Sequence, residues 1–260
     1  MKTQQAKKPM NRFVRILLDL IMLISLLVAG YSAWNIYHAL EEYHEADVAY
    51  NEVRQSVLQV DQTTKEEKID WPTLMQQYPD TMAWIKMANS TIDYPIAYAD
   101  STIPSRKGNV YYLDHLMDGR KQSSGTLFLD VNNGQSMKDR VLVVYGHNMK
   151  NGSMFADIDK YRRQEYYDGH KEMTLETADE KYKIYPVAGI KTTGTDDYVR
   201  YRFSNNEQFL SYVSRFTENS TFRSEHKVQP NDQLILFSTC DYTIEDGRYA
   251  LLARLVKVNE

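Results

Sequence analysis

Apolar and polar positions follow three successive rhythms along this chain of 260 residues. Residues 16–37, "ILLDLIMLISLLVAGYSAWNIY", form an almost unbroken apolar run with one charge, Asp19. As a helix rising 1.5 Å per residue, such a run covers roughly 30 Å, the thickness of a bilayer core. Next, Leu40, Tyr43, Ala46, Tyr50, Val53, Val57 and Val60 recur every three or four positions, which predicts one apolar stripe on a helix. A stalk or partner helix would leave that stripe bare, so packing against the chain's own domain is the preferred reading. The polar stretch "DQTTKEEKID" (61–70) reads as a linker, and Pro72 suits the first turn of a short helix that Pro79 ends.

The third rhythm is strand-like. Apolar runs at 91–98, 126–130, 141–145, 173–177, 182–190, 234–239 and 250–258 are separated by Gly, Asn, Asp and Ser clusters. Two helical insertions interrupt them. One spans 153–161, with Met154, Ile158 and Tyr161 on one face; the other opens with Ser204 and Glu207 at capping-box spacing and places Phe209, Val213 and Phe216 together. There are too few helices to cover a parallel sheet, so the expected fold is mainly β, a closed or nearly closed barrel.

Charge orients the first run. Lys2, Lys7, Lys8, Arg12 and Arg15 precede it, whereas Glu41, Glu42, Glu45 and Asp47 follow with no Lys or Arg before Arg54. The positive-inside rule then keeps residues 1–15 in the cytoplasm, makes 16–37 a transmembrane signal anchor and puts the rest outside the cell membrane. Asp19 stands one helical turn after Arg15 and can pair with it near the headgroups. Val28-Ala29-Gly30 would suit a cleaved signal peptide, but the apolar run exceeds the ~7–15 residues of a signal-peptide core. A net charge of −4 with interspersed signs forms no basic stripe, which argues against nucleic acid as a partner.

Export gives meaning to the single cysteine, Cys240. Outside the cell cysteines usually pair, so a lone one is an intermolecular bridge, an inert buried thiol or a reactive group. Its surroundings favour chemistry. Cys240 ends the apolar run "LILFST", and Arg248 stands eight positions on; if the two runs pair as an antiparallel hairpin, the guanidinium returns to within about 5–6 Å of the thiol. Among six histidines, His38 and His44 flank the apolar segment and His115, His170 and His226 sit in polar loops. His147 instead follows the strand "VLVVY" in "YGHN", after a Gly146 that permits an unusual backbone angle. Together these describe an acyl-transfer site: Cys240 the nucleophile, His147 the general acid and base, Arg248 the stabiliser of the oxyanion or of the bound substrate. With one cysteine and no H-x-x-x-H, no zinc-type ligand set is expected.

At these residues the sequence resembles the sortases, cysteine transpeptidases of Gram-positive bacteria, and class B most. "YGHN", "STC" at 238–240 and Arg248 carry the likeness, with "YPDTMAWI", "IDYPI", "NVYYLDH" and "SGTLFLD" upstream. The resemblance covers about 70–260, the expected catalytic domain, with 38–69 as an extracellular helical stalk and linker. It implies an eight-stranded sortase β-barrel with N-terminal helices and a helix in the long β6/β7 connection. It further implies cleavage of an LPxTG- or NPxTN-like C-terminal sorting signal on secreted proteins and transfer, through a thioacyl intermediate, to an amine. The acceptor would be lipid II or peptidoglycan, or in a pilin polymerase a lysine; a catalytically silent tethered binding domain is the alternative. By similarity the signal would lie against Asn109, Leu113, Tyr198, Val199, Ser238, Thr239 and Asp241, and no cofactor or metal is implied. One departure stands out: the family's T-L-x-T-C begins here with Leu236.

Overall fold

The computed structural model describes residues 11–60, 67–100, 104–243 and 245–258. The chain divides into two units, Met1–Glu45 and Ala46–Glu260, and helix α1 (Arg12–Val57) contributes to both. Within the first unit the side chains of α1 are exposed, Leu27 and Trp34 among them, and this stretch is long and apolar enough to cross a membrane.

In the second unit the last turns of α1 bury Ala46, Ala49, Tyr50, Val53 and Val57, the lower part of the stripe that the spacing predicts. Leu40, on the same stripe, is exposed. Tyr50 is anchored by its hydroxyl, which donates to the Gly125 carbonyl at 2.6 Å. The compact unit therefore starts upstream of residue 70, because these side chains find their cover on the domain itself. Of the expected linker, 61–66 lie outside the described residues; Glu67–Ile69 pairs antiparallel with Leu58–Val60 in a small ribbon. Helix α2 (Trp71–Gln77) follows, capped by Asp70 and with Pro72 in its first turn, as the sequence suggests.

Eight strands then close into a barrel: β1 (Thr81–Lys86), β2 (Asp93–Tyr98), β3 (Leu127–Leu129), β4 (Val141–Tyr145), β5 (Met173–Glu176), β6 (Lys181–Thr193), β7 (Gln233–Asp241) and β8 (Gly247–Lys257). Their order around the barrel is β8-β6-β5-β1-β2-β3-β4-β7, with β7 returning to β8. β2 with β3 and β4 with β7 are parallel; the other pairs are antiparallel. Only β1 has no counterpart among the strands expected from sequence. Ala83 and Ile85 point into the barrel while Trp84 joins an outer cluster with Val53, Val57, Trp71 and Leu74, so burial on both faces hides the alternation.

Helix α3 (Ala156–Asp159), a 3-10 turn (Lys160–Arg162) and α4 (Gln164–Gly169) make up the first insertion, and Met154, Ile158 and Tyr161 are buried. Helix α5 (Asn206–Glu218) lies in the β6/β7 connection. Its cap differs from the expected Ser204–Glu207 box. Asn205, in extended conformation, accepts from the Gln208 amide at 2.9 Å, while the Gln208 side chain accepts from the Ser204 amide at 3.2 Å. The shift by one residue puts an asparagine, among the strongest caps, where the orphan amide points.

α5 explains why β4 and β7 read as nearly continuous apolar runs. Leu142, Val144, Ile235 and Phe237 fill the barrel, whereas Val141, Val143, Leu234 and Leu236 face outward beneath Phe209, Val213 and Phe216. Phe209→Ala is expected to cost about 3–5 kcal/mol of stability, read as a lowered urea midpoint; a loss under about 1 kcal/mol would mean that α5 is not part of the cooperative core.

Candidate active site

Parallel pairing of β4 with β7 sets the site. Tyr145 lies opposite Ser238, and the Gly146 amide extends the ladder by donating to the Ser238 carbonyl at 3.2 Å. Both strands run the same way, so His147 and Cys240 emerge at one rim. β8 pairs antiparallel with β7 in a register that sets Arg248 directly across from Cys240, at a typical separation of about 4.5–5.5 Å.

Alternation fixes the face. Leu234 and Leu236 of β7, Ala250 and Leu252 of β8, and Val141 and Val143 of β4 all face outward under α5. Continuing by twos reaches Cys240, Arg248, Tyr145 and His147. The site thus lies on the outer face, where the cover of α5 ends, in a cleft of about 210 Å³. His147, Cys240 and Arg248 line it with Asn109, Leu113, Ser238 and Thr239; Phe128, Tyr145 and Gly146 complete the wall. A larger cavity, about 730 Å³, opens at the opposite rim, where β4 and β7 begin, but no cysteine or histidine lines it.

Gly146 does not carry the unusual backbone angle expected for it; it is not among the residues at positive φ. The requirement is space. A Cβ there would stand 2.3 Å from Leu127 Cδ2 and 2.7 Å from Phe155 Cδ2, distances no real Cβ tolerates. The His147 ring is held at Nε2 by the Leu113 carbonyl, 2.6 Å away. A carbonyl only accepts, so Nε2 carries the proton and a neutral ring keeps its lone pair on Nδ1. Asn148 ties the two strand ends together, donating to the Cys240 carbonyl at 3.0 Å.

Cys240 is a free, half-buried thiol. Beside it Thr239 is buried, and among the described residues its Oγ1 has no partner. Arg248 donates to the Gly247 carbonyl at 2.9 Å and pairs with Asp246 at 3.0 Å, which holds the guanidinium near the turn. Of the other five histidines none lines the cleft; His115 stacks on Tyr111 and His170 on Tyr166. Among the described residues no group of three or more His, Cys, Asp or Glu is arranged to hold a metal ion.

Three residues that the resemblance assigns to substrate lie behind the cleft. Tyr198 is buried, with its hydroxyl 2.8 Å from Ser238 Oγ, and Val199 packs into the cluster under α5. Asp241 is buried because β7 turns its side chain away from Cys240; its Oδ1 accepts from the Thr243 amide at 2.8 Å and pairs with Arg162 at 2.7 Å. Burial pushes the Asp241 carboxyl up, yet the hydrogen bonds from Thr243 and Arg162 outweigh it and leave the group below its usual range. Sequence reasoning missed Arg162, Asn148, Phe128 and Tyr145. For Tyr145 the period of two counted back from His147 is a usable signal; Arg162 has none, because its partner is distant in sequence.

No family model matches the chain. It is 29% identical to the sortase B of Listeria monocytogenes over 241 residues, covering 90% of this chain and 95% of that protein. The structure of sortase B from B. anthracis in complex with AAEK1 superposes with a TM-score of 0.72 at 27% identity, covering 84% of this chain and 100% of the other. This chain is a class B sortase. The crystal structure of S. aureus sortase B complexed with triglycine matches at a TM-score of 0.66 and 25% identity, over 72% of this chain and 86% of that one. The sortase is accordingly a cysteine transpeptidase, and its single cysteine is consistent with that activity.

A carboxyl held below its unfolded value of about 3.9 stabilises the fold above that pH and loses the contribution as pH falls through the folded value. Asp241→Asn should therefore lower the Tm at pH 7 and converge on the parent sortase near pH 3. Equal losses at both pH values would assign the effect to shape and not charge.

Proposed function

We propose that this sortase is anchored by residues 16–37, with residues 1–15 cytoplasmic and the barrel outside, and that it joins secreted proteins to a cell-wall amine. In this reading Cys240, as thiolate, attacks the scissile carbonyl of an LPxTG- or NPxTN-like sorting signal. The tetrahedral oxyanion forms beside Arg248, whose fixed guanidinium stabilises the new charge. Collapse expels the amine of the C-terminal fragment, which takes a proton from His147 and leaves a thioacyl enzyme. An incoming amine then gives its proton to His147 as it displaces the sulfur, which restores the thiolate.

The observation that carries the reading is the convergence of His147, Cys240 and Arg248 on one outward-facing cleft, set by the pairing of β4, β7 and β8. Asn109, Leu113, Ser238 and Thr239 are the residues of that cleft positioned to contact the signal. A cell-wall precursor such as lipid II is the acceptor favoured here, since the S. aureus sortase B it resembles is solved complexed with triglycine and a small amine-bearing acceptor fits an open rim. A long apolar helix with a basic N-terminal flank supports the anchoring and its orientation.

Full-length sortase in detergent, given sorting-signal peptides and an amine acceptor, should produce an amide-exchanged product and a peptide adduct on Cys240 by mass spectrometry. Cys240→Ala should abolish both, and full exchange by that variant would sink the mechanism. Arg248→Ala should lower kcat/KM by about 10²–10³, the usual loss of an oxyanion partner; a change below about threefold would remove Arg248 from that role.

A further inference from the structure

Behind the cleft wall, Asp130 is 1% exposed and collects hydrogen bonds from five neutral donors. Its Oδ2 accepts from Asn109 Nδ2 at 3.0 Å, the Tyr145 hydroxyl at 3.0 Å and the Tyr201 hydroxyl at 2.9 Å. Its Oδ1 accepts from the Asn132 backbone amide at 2.8 Å and side-chain amide at 3.0 Å. These donors come from different segments: Asn109 from the loop before β3, Tyr145 from β4, and Tyr201 from the β6/β7 connection. Two of them, Asn109 and Tyr145, line the cleft.

We propose that Asp130 is the positioning residue of the sorting-signal cleft, an anionic hub that holds the Asn109 amide, the Tyr145 ring and the β6/β7 connection in the arrangement that accepts the peptide. The proposal rests on the reading of this cleft as the substrate site. It differs from a general structural role in its geometry. The Asn109 Oδ1 accepts from the Val131 amide at 3.0 Å, so with one Nδ2 hydrogen on Asp130 the side chain is fixed in one amide orientation, and its remaining N–H is the one left for substrate. Burial, reinforced by the Asp130 charge, pushes the Tyr201 hydroxyl up to about 12 against a hydrogen bond from Asn132, and raises Tyr145 as well. Both hydroxyls therefore remain donors at neutral pH.

An asparagine cannot replace this carboxylate. Whichever way its amide turns, an NH2 group faces either the two Asn132 donors or the three on the other side, so one set of contacts is lost. Asp130 makes no contact with Cys240 or Arg248 among the interactions described, so the inference separates peptide binding from thiol chemistry.

The test uses full-length sortase in detergent, a sorting-signal peptide that the parent transfers, and iodoacetamide as a small probe of Cys240. Asp130→Asn should raise KM by about tenfold or more with kcat within about threefold, while the alkylation rate of Cys240 stays at the parent value. Tyr201→Phe, which deletes one donor outside the cleft, should raise KM in the same direction by a smaller factor. If Asp130→Asn loses its near-UV circular dichroism, Tyr201→Phe decides. Unchanged KM in the folded variants, or a fall in alkylation that matches the fall in transfer, would overturn the proposal. No transfer by the parent with any sorting-signal peptide would overturn the site reading and this inference with it; transfer by the parent with unchanged KM in the variants would overturn the inference alone.

Discussion

The side-chain alternation of three neighbouring strands, β4, β7 and β8, is the constraint on which the site depends. Strand geometry sends successive side chains to opposite faces, and a slip of one residue would exchange every inward and outward group. Here the inward set, including Val144, Phe237, Tyr249 and Leu251, fills the barrel. The outward set starts apolar under α5, and at Tyr145, Ser238 and Arg248 it turns polar or amphipathic. Register is thus enforced by two cores at once, the barrel interior and the α5 interface. A displaced Cys240 would require burying Ser238 or Arg248 against Phe216 and exposing leucines. The hydrophobic effect, which knows nothing of catalysis, holds thiol, imidazole and guanidinium on one face.

Polar groups do the finer work around the rim. Loops 99–126 and 194–232 would drift without ties to the barrel, and the ties are buried hydrogen bonds. Asn133 bridges β4 by donating to the Val141 carbonyl at 2.8 Å and accepting from the Val143 amide at 2.7 Å. Asp130 gathers the cleft wall, and Arg162 holds Asp241 one residue beyond the thiol. Buried polar atoms are costly unless satisfied, so each network specifies one arrangement far more sharply than apolar packing can. Thr239 is the exception, since its buried Oγ1 lacks a partner among the described residues in the very cleft where a ligand would supply one.

Much of this is legible in the sequence, for identifiable reasons. Seven of eight strands show as apolar runs because a barrel capped by one helix leaves its strands buried on both faces, and the hairpin that brings Arg248 to Cys240 follows from loop length alone. His147 can be singled out because it ends a strand, although Gly146 before it meets a steric demand and not a conformational one: that demand comes from Leu127 and Phe155, which no local pattern reveals. β1 is hidden because Trp84 is covered by α1 and α2, contacts made across long stretches of sequence. The same limit hides Arg162 and the fact that Asp241 and Tyr198 support the cleft from behind. Periodicity reports which face a residue occupies; it does not report which distant side chain waits there.

Leu236 bears on specificity in a way its position in the sequence does not suggest. It stands where the family's usual motif has a threonine, which by sequence alone makes it a place for substrate preference to differ. In the fold it is fully buried beneath α5, on the outward face of β7 but four residues before the cysteine, in one apolar cluster with Val143, Phe209 and Leu252. A side chain so placed changes packing and not recognition: a threonine there would need a hydrogen-bond partner, and leucine simply removes that need. A preference among sorting signals has to be written in groups that touch the cleft. By position those are Asn109 and Leu113 on one wall and Tyr145, Ser238 and Thr239 on the other, with the anionic hub at Asp130 setting how far apart Asn109 and Tyr145 stand.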